Sequence, residues 1–543
     1  MKNTFISILF ILFVNNVNSQ DSIIHKFRVA FTDKDGTPFT IENPSEYLSE
    51  RSIERRSRFS IPITESDLPV NPAYIDALKN LDVKVLHTSK WLNSAVIETP
   101  DSGKIHPISE LSFVSSTMHL SRNVIYSGSK RKALTDKFGY ESMDYGLAAA
   151  QIMLHQGDKL HDWGFTGQDM VIAVLDAGFY YVDSLRAFDS LRLNGQILGT
   201  KDFVKPGNNV YREHDHGMSV LSIMGGNIPG ELIGAAPGAS YWLLRSEDGS
   251  SEQKIEELNW VAAAEFADSV GADIINSSLG YSEFNDSLQN YKYDDMDGNT
   301  TLVTRGADMA ASKGILVVAS AGNSGNKDWF YIIAPADGDS VIAVGAVDPF
   351  MNYVPFSSHG PTSDGRIKPN MVATGSGTFV QRIDGSVGPG AGTSFSAPII
   401  SGLAACLWQK FPELSNYEII KTLEQSSSLY PYPDNTMGYG APNLTVANDI
   451  LTGHSVTIPP EGYTIYPNPA ESVIFVSGSS YTEHLIQYDI YDLTGRKTNL
   501  CGLITGKDMT EFEIQSLDKL IPGIYILKIT TENASHTVKF VKK

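Results

Sequence analysis

The sequence predicts an α/β protein. A parallel sheet with helices on both faces should form the body of the chain, preceded by a small α/β unit and followed by an all-β sandwich. Three observations lead there. Residues 171–175, 315–319 and 341–345 are continuous apolar runs, as strands buried on both faces of a parallel sheet require. Helical patterns at residues 252–267 and 302–312 lie between these runs, so strands and helices alternate. Beyond residue 463 the pattern changes to short alternating runs at residues 472–476, 486–491 and 524–529, with turns at Gly495-Arg496 and Pro522-Gly523, as in a small sandwich.

The elements ahead of the main sheet follow in order. Residues 1–19 carry Lys2, an apolar run over 5–14 broken only by Ser7, and small residues before Gln20, the marks of a secretory signal. The run is too short for a bilayer span, which needs about 20 apolar residues, and no later stretch is long enough. Residues 25–31 alternate as a strand. Residues 44–58 form a charged helical stretch ending in Arg55, Arg56 and Arg58. Residues 71–81 predict a second helix with Pro72 in its first turn, and residues 83–99 hold further strand signals. Residues 121–137 are basic and poor in large apolar side chains, an exposed connector where processing can occur. The expected domains are therefore a signal (1–19), an α/β unit with its connector (20–140), the main α/β domain (145–452), a Pro/Gly-rich linker (453–462) and the sandwich (463–543).

Composition narrows the function. Of 543 residues, 42% are hydrophobic and 19% charged, enough apolar content for sizeable cores. The net charge of −20 repels phosphate backbones and argues against a nucleic-acid partner. The two cysteines lie in different predicted domains. Cys406 falls in an apolar helical run, and both are expected to be buried free thiols.

Hydrolysis of an amide by serine needs a nucleophile, a base, an anion that orients the base, and donors for the oxyanion. Asp176 follows the buried strand 171–175, where a carboxylate can enter a cleft; Asp-x-Gly after a strand is also an ordinary turn. His216 lies in His214-Asp215-His216-Gly217 ahead of an apolar helical run. There a helix start would hold its ring and a carboxylate could fix its tautomer. Spacing alone does not exclude His214 or Asp215, and a His214/His216 metal pair lacks a convincing third ligand. Ser394 stands among glycines ahead of Pro398 and a further helix, placed either as nucleophile near the positive helix end or as an N-cap. Asn323, in Ala321-Gly322-Asn323, offers an amide donor or a left-handed turn residue.

Together these segments resemble the subtilisin-like serine peptidases, or subtilases. The resemblance rests on Val174-Leu175-Asp176-Ala177-Gly178, His216-Gly217-Met218, Ala321-Gly322-Asn323 and Gly392 to Pro398, and extends to Phe356 through Pro361 and Gly365 through Pro369. The order Asp, His, Ser is that of subtilisin. The resemblance covers roughly residues 145–450. It implies a secreted serine endopeptidase with a subtilisin-like sheet. Ser394 would be the nucleophile, His216 the base and then the acid, and Asp176 its orienting anion. Asn323 with the Ser394 N–H would form the oxyanion hole. Ser278-Leu279-Gly280 and Ser320-Ala321-Gly322 would pair with the extended polypeptide substrate. Met218 and Ala177 depart from the family's usual threonine and Ser/Thr.

The flanks resemble known partners of this domain. The N-terminal unit looks like an inhibitory propeptide. The C-terminal unit resembles the sorting domain of type IX secretion, through Tyr466-Pro467-Asn468-Pro469, residues 490–496, Pro522-Gly523-Ile524-Tyr525 and Lys542-Lys543. Export to the cell surface or medium follows, with the secretion machinery as a partner. The chemistry implied needs no cofactor. Structural Ca²⁺ is conceivable at Asp294, Asp295, Asp297 and Asn299, where a solvated acidic loop is the alternative. Loops near Trp329-Phe330 are candidates for the substrate-pocket wall. Two other functions stay open: a catalytically silent binding or adhesion protein on the same fold, and an esterase. The missing Gly-x-Ser-x-Gly elbow counts against the esterase.

Overall fold

The computed structural model describes residues 23–123, 143–453 and 464–543, apart from 467, 482–484, 493–495, 506–508 and 531–534. The predicted signal, nearly all of the connector and all but the first residue of the linker lie outside the described residues. The chain divides into two compact units, residues 1–448 and 449–543, taken here one at a time.

The first unit opens with an antiparallel sheet of β1 (Ile24–Phe31), β2 (Lys84–Ser89), β3 (Ser94–Thr99) and β4 (Val114–Asn123), in the order β2-β3-β1-β4. Its inward side chains, among them Phe27, Val29, Phe31 and Ile97, meet Leu78 and Ile108 in one core. The charged stretch expected as a single helix is broken. A 3₁₀ turn at Pro44–Glu46 ends before Ser49, whose side chain accepts from Ser52 N–H and caps α1 (Glu50–Arg58). Asn71 caps α2 (Pro72–Lys79) in the same way, with proline in the first turn.

The second sheet of this unit has seven strands: β5 (Val171–Asp176), β6 (Ile197–Asp202), β7 (Ser240–Arg245), β8 (Ile274–Ser277), β9 (Leu316–Ser320), β10 (Val341–Val347) and β11 (Met371–Thr374). Their order is β11-β10-β9-β8-β5-β7-β6, and every neighbouring pair is parallel. Every residue of β5, β8, β9 and β10 is buried, which accounts for the apolar runs in β5, β9 and β10. Helices α3 (His216–Gly225), α4 (Ile255–Val270), α5 (Leu302–Ser312) and α6 (Thr393–Lys410) cover the sheet. Alternate strand residues sort between the faces. Val171, Ala173, Leu175, Ile275, Val317 and Val341 share a core with Trp260, Ala264 and Ala307 of α4 and α5, while α3 and α6 pack on the opposite face. A hairpin of β12 (Ser376–Gln381) and β13 (Val387–Ala391) leads directly into α6.

The four-stranded sheet lies on α4 and α5. Val96 and Leu120 pack with Ile255, Leu258 and Leu302. A buried ionic cluster completes this interface. Asp268 of α4, whose side chain is 0% exposed, is held by Arg55 (2.7 Å), Arg56 (3.1 Å) and Lys90 (3.1 Å). Burial alone would raise its pKa, but these three cations keep the carboxyl below the ordinary range. Nearby, Glu265 accepts from the backbone N–H groups of Lys90 and Trp91 at 2.9 and 3.0 Å.

The second unit contains β14 (Thr464–Tyr466), β15 (Ile474–Tyr481), β16 (Leu485–Asp492), β17 (Lys497–Thr505), β18 (Met509–Ile514), β19 (Gly523–Thr530) and β20 (Ser535–Lys542). They form a three-stranded sheet, β14-β15-β18, and a four-stranded one, β17-β16-β19-β20, both antiparallel. Ile474, Val476 and Ile514 of the first sheet meet Ile486, Leu527 and Phe540 of the second in one core, as a sandwich requires. Both cysteines are free thiols, but only Cys406 is buried. Cys501 is exposed, contrary to expectation, because it faces outward on β17.

Candidate active site

The carboxyl ends of four adjacent strands collect the residues of interest, as open parallel sheets tend to do. Asp176 is the last residue of β5 and lies beside Arg245, the last of β7. Segment 278–280 follows β8, and Ser320 ends β9. Arg245 braces the chain as it leaves β5: its Nε donates to Ala177 O (2.9 Å), and one terminal nitrogen donates to Asp202 (3.0 Å).

Asp176 is 0% exposed. Its two oxygens lie 2.8 and 3.1 Å from Nδ1 of His216, the first residue of α3. The close approach depends on Gly217, where a Cβ would fall 2.5 Å from Gly178 O and 2.7 Å from Asp176 Cβ. Met218, two residues along α3, is fully buried, and Phe395 stacks on the histidine with centroids 6.1 Å apart. Burial alone would lower the His216 pKa, but the Asp176 carboxylate overrides it and the group is pushed up to about 9.

Ser394 lies in the first turn of α6. Its backbone carbonyl accepts from Ser278 Oγ (2.8 Å), and its own hydroxyl donates to Ser278 O (3.2 Å). The hydroxyl proton is thus directed to Ser278 rather than to His216. Asn323 Oδ1 accepts from both the N–H (2.9 Å) and the hydroxyl (3.0 Å) of Thr393. With the oxygen so anchored, the Nδ2 end is available as a donor. His216, Ser394 and Asn323 line one cleft of about 280 Å³, together with Ser278, Leu279, Gly280, Ser320 and Gly322. Ala321 does not line it. That residue is fully buried, and its backbone N–H is bonded to Val344 O (3.0 Å).

Other expectations sort differently. His214 reaches the cleft edge, and its Nδ1 accepts from His216 N–H (3.1 Å), so it supports the histidine's backbone. Trp329 and Phe330 do not line the cleft. Trp329 Nε1 donates to Ile332 O (3.1 Å), and Phe330 stacks on His359 at 4.2 Å. Ile333 and Glu247 line the cleft instead. Glu247 could have been suspected, since it lies just past β7, the strand beside Asp176. Nothing in the sequence marks Ile333. Burial first, then the charges of Glu252 and Asp176, push the Glu247 carboxyl up to about 8.

In the acidic loop the carboxylates of Asp295 and Asp297 close turns. Asp295 accepts from Lys292 N–H (2.7 Å); Asp297 accepts from the N–H groups of Asn299 (2.8 Å) and Thr300 (2.7 Å) and from the Thr300 hydroxyl (2.8 Å). Those lone pairs close turns. Among the described residues, no group of three or more His, Cys, Asp or Glu side chains is placed to hold a metal ion.

Residues 167–440, half of the chain, match the Subtilase family. The chain belongs to the subtilase family. Subtilases are serine endopeptidases, and so is this protein. Residues 26–136 of this subtilase match the Peptidase S8 propeptide domain of Bacteroidota, and residues 464–543 match the secretion system C-terminal sorting domain. It is similar to subtilisin E of Bacillus subtilis (strain 168), 29% identical over 304 residues, which are 55% of this chain and 69% of the relative. Serine protease AprX of the same strain is 29% identical over 308 residues, 51% of this chain and 66% of the relative. Among solved structures, MycP1 with its N-terminal propeptide removed aligns at a TM-score of 0.45 and 23% identity, over 55% of this chain and 96% of that one. The sorting domain marks the subtilase for export to the cell surface or beyond. No helix among the described residues is long and apolar enough to cross a membrane.

Proposed function

We propose that this subtilase cleaves polypeptides through an acyl-enzyme on Ser394, with Asp176, His216 and Ser394 as its triad. The observation that carries the proposal is the Asp176–His216 pair opening onto the same cleft as Ser394 and Asn323. Rotation of the Ser394 side chain away from Ser278 O would bring its hydroxyl to His216 Nε2. Apo hydrogen bonds at such sites are often incomplete and tighten with substrate. Ser394 Oγ then attacks the scissile carbonyl carbon and its proton passes to Nε2. Asn323 Nδ2 and the Ser394 N–H hold the oxyanion. The C–N bond breaks as Nε2 returns the proton to the leaving amine. Water, deprotonated by the same nitrogen, releases the acyl group and restores Ser394.

Segments 278–280 and 320–322 supply the edges along which an extended substrate pairs, through the backbone groups common to all peptides. Residues 20–140 act as the enzyme's own inhibitor until removed, 145–452 as the peptidase, 453–462 as a linker, and 463–543 as the tag read by the type IX secretion machinery. No cofactor enters the chemistry. Labelling with a fluorophosphonate after maturation, followed by mapping of the modified residue, tests the assignment. Ser394 is the expected site. Labelling elsewhere, or none, would return the protein to the catalytically silent binding role.

A further inference from the structure

A peptide cleaved by Ser394 must place the side chain of its P1 residue, the one whose carbonyl is attacked, directly beside that serine. The cleft there runs between Ser278-Leu279-Gly280 and Ser320 with Gly322. Ile333 lines it as well. The backbone around Ile333 ties the two walls together: Ile333 N–H donates to Ala321 O (3.3 Å), while Ala334 and Tyr281 exchange two hydrogen bonds of 2.8 and 3.3 Å. Ile332 and Ala334 point into the core and are 0% exposed, whereas Ile333 between them lines the cleft.

Its side chain occupies the room that two glycines leave free. A Cβ on Gly280 would collide with Ile333 Cδ1, and one on Gly322 would lie 3.0 Å from Cγ1. Isoleucine is stiff about χ1, and its backbone is bonded on both sides. Its side chain therefore has few other rotamers, and its backbone cannot retreat for a large side chain without breaking the bridge between the walls.

We infer that Ile333 determines specificity by closing the P1 pocket, and that the enzyme cleaves after glycine, alanine or serine in preference to leucine or phenylalanine. The inference rests on the proposed roles of Ser394 and of the two flanking segments.

The test uses the full chain, matured with its own N-terminal domain, and a series of peptide anilides differing only at P1 (Ala, Ser, Leu, Phe). Active sites are first titrated with a fluorophosphonate. Apolar-pocket misfits discriminate by about 10- to 200-fold. Wild type should therefore favour Ala over Phe by at least about 10-fold in kcat/KM. Ile333→Gly should erase or reverse that ratio by gaining on Leu and Phe, with Ile333→Val in between. If Ile333→Gly does not mature, Ile333→Val against wild type carries the comparison. Equal P1 ranking in titratable wild type and variants, or a wild-type preference for Phe, overturns the inference. Failure of every form to titrate overturns the Ser394 assignment, and this inference with it.

Discussion

Both carboxylate oxygens of Asp176 lie within 3.1 Å of His216 Nδ1, from a position with no exposure to water. In the proposed triad a buried anion in that place would hold the ring with Nε2 toward the cleft and stabilise the imidazolium formed when His216 takes a proton. Asp176→Asn should preserve the fold yet favour the wrong tautomer. The expected loss is about 10⁴-fold in kcat, measured on a peptide anilide with thermal unfolding as the control for structure.

The elevated His216 pKa sets the direction of the pH profile. Only the neutral ring accepts the serine proton, so kcat/KM should climb as pH rises through about 9. Glu247 is one of the carboxylates that favour the charged ring, with Asp176 and Asp215. Glu247→Gln removes an anion, lowers the His216 pKa and should move the rising limb to lower pH. A limb that stays in place would show that Glu247 does not act on His216.

Asn323 has its oxygen committed to Thr393, leaving an oriented donor whose benefit appears when the carbonyl oxygen becomes anionic. Asn323→Ala should cost about 10²–10³ in kcat, the loss found for an oxyanion donor in subtilisin, with KM nearly unchanged. A loss confined to KM would assign Asn323 to ground-state binding instead.

Asp268 pairs with Arg55, Arg56 and Lys90 where the N-terminal sheet meets α4. Asp268→Ala takes the carboxylate partner from buried Arg55 and Lys90, while Arg56 keeps Asp67 at 2.7 Å. Removal of one partner from a buried pair costs about 3–5 kcal/mol, so the precursor should be destabilised by that order. Urea unfolding of the uncleavable Ser394→Ala precursor, with and without Asp268→Ala, gives the number.

The turn at Asp297 offers a simpler comparison. Because its oxygens close the turn onto Asn299 and Thr300, Asp297→Ala should lower Tm slightly. EDTA and added Ca²⁺ should act equally on wild type and variant. A calcium-dependent Tm present only in wild type would restore the loop as a metal site.

Much of this architecture was legible in the sequence because burial on both faces leaves an unmistakable mark. The apolar runs of β5, β9 and β10 could be found within one or two residues, and Leu302–Ser312 coincides with its predicted bounds. Asp176, His216, Asn323 and Ser394 could be singled out because each sits at a strand end or helix start beside glycine. The helix expected over 44–58 breaks because Ser49 spends its side chain on a cap rather than continuing the turn. The fate of Asp295 and Asp297 depended on which N–H groups lay nearest, which composition does not reveal. Glu247 and Ile333 acquire importance only from where their neighbours lie across the cleft. Ile333 in particular comes from a loop whose course no local pattern sets, so Trp329 and Phe330, being large, drew attention away from it.

The hydrogen bonds that assemble the cleft join distant parts of the chain. Asp176 and His216 are 40 residues apart, Asn323 and Thr393 70, and Ser278 and Ser394 116. Ser394, the proposed nucleophile, stands on α6, later in the sequence than Asp176, His216, Ser278 and Asn323. A protease made inside the cell that must leave it thereby gains a delay built into its own connectivity. A chain that ends before residue 394 lacks the proposed nucleophile, so that group is the last part of the cleft to be synthesised.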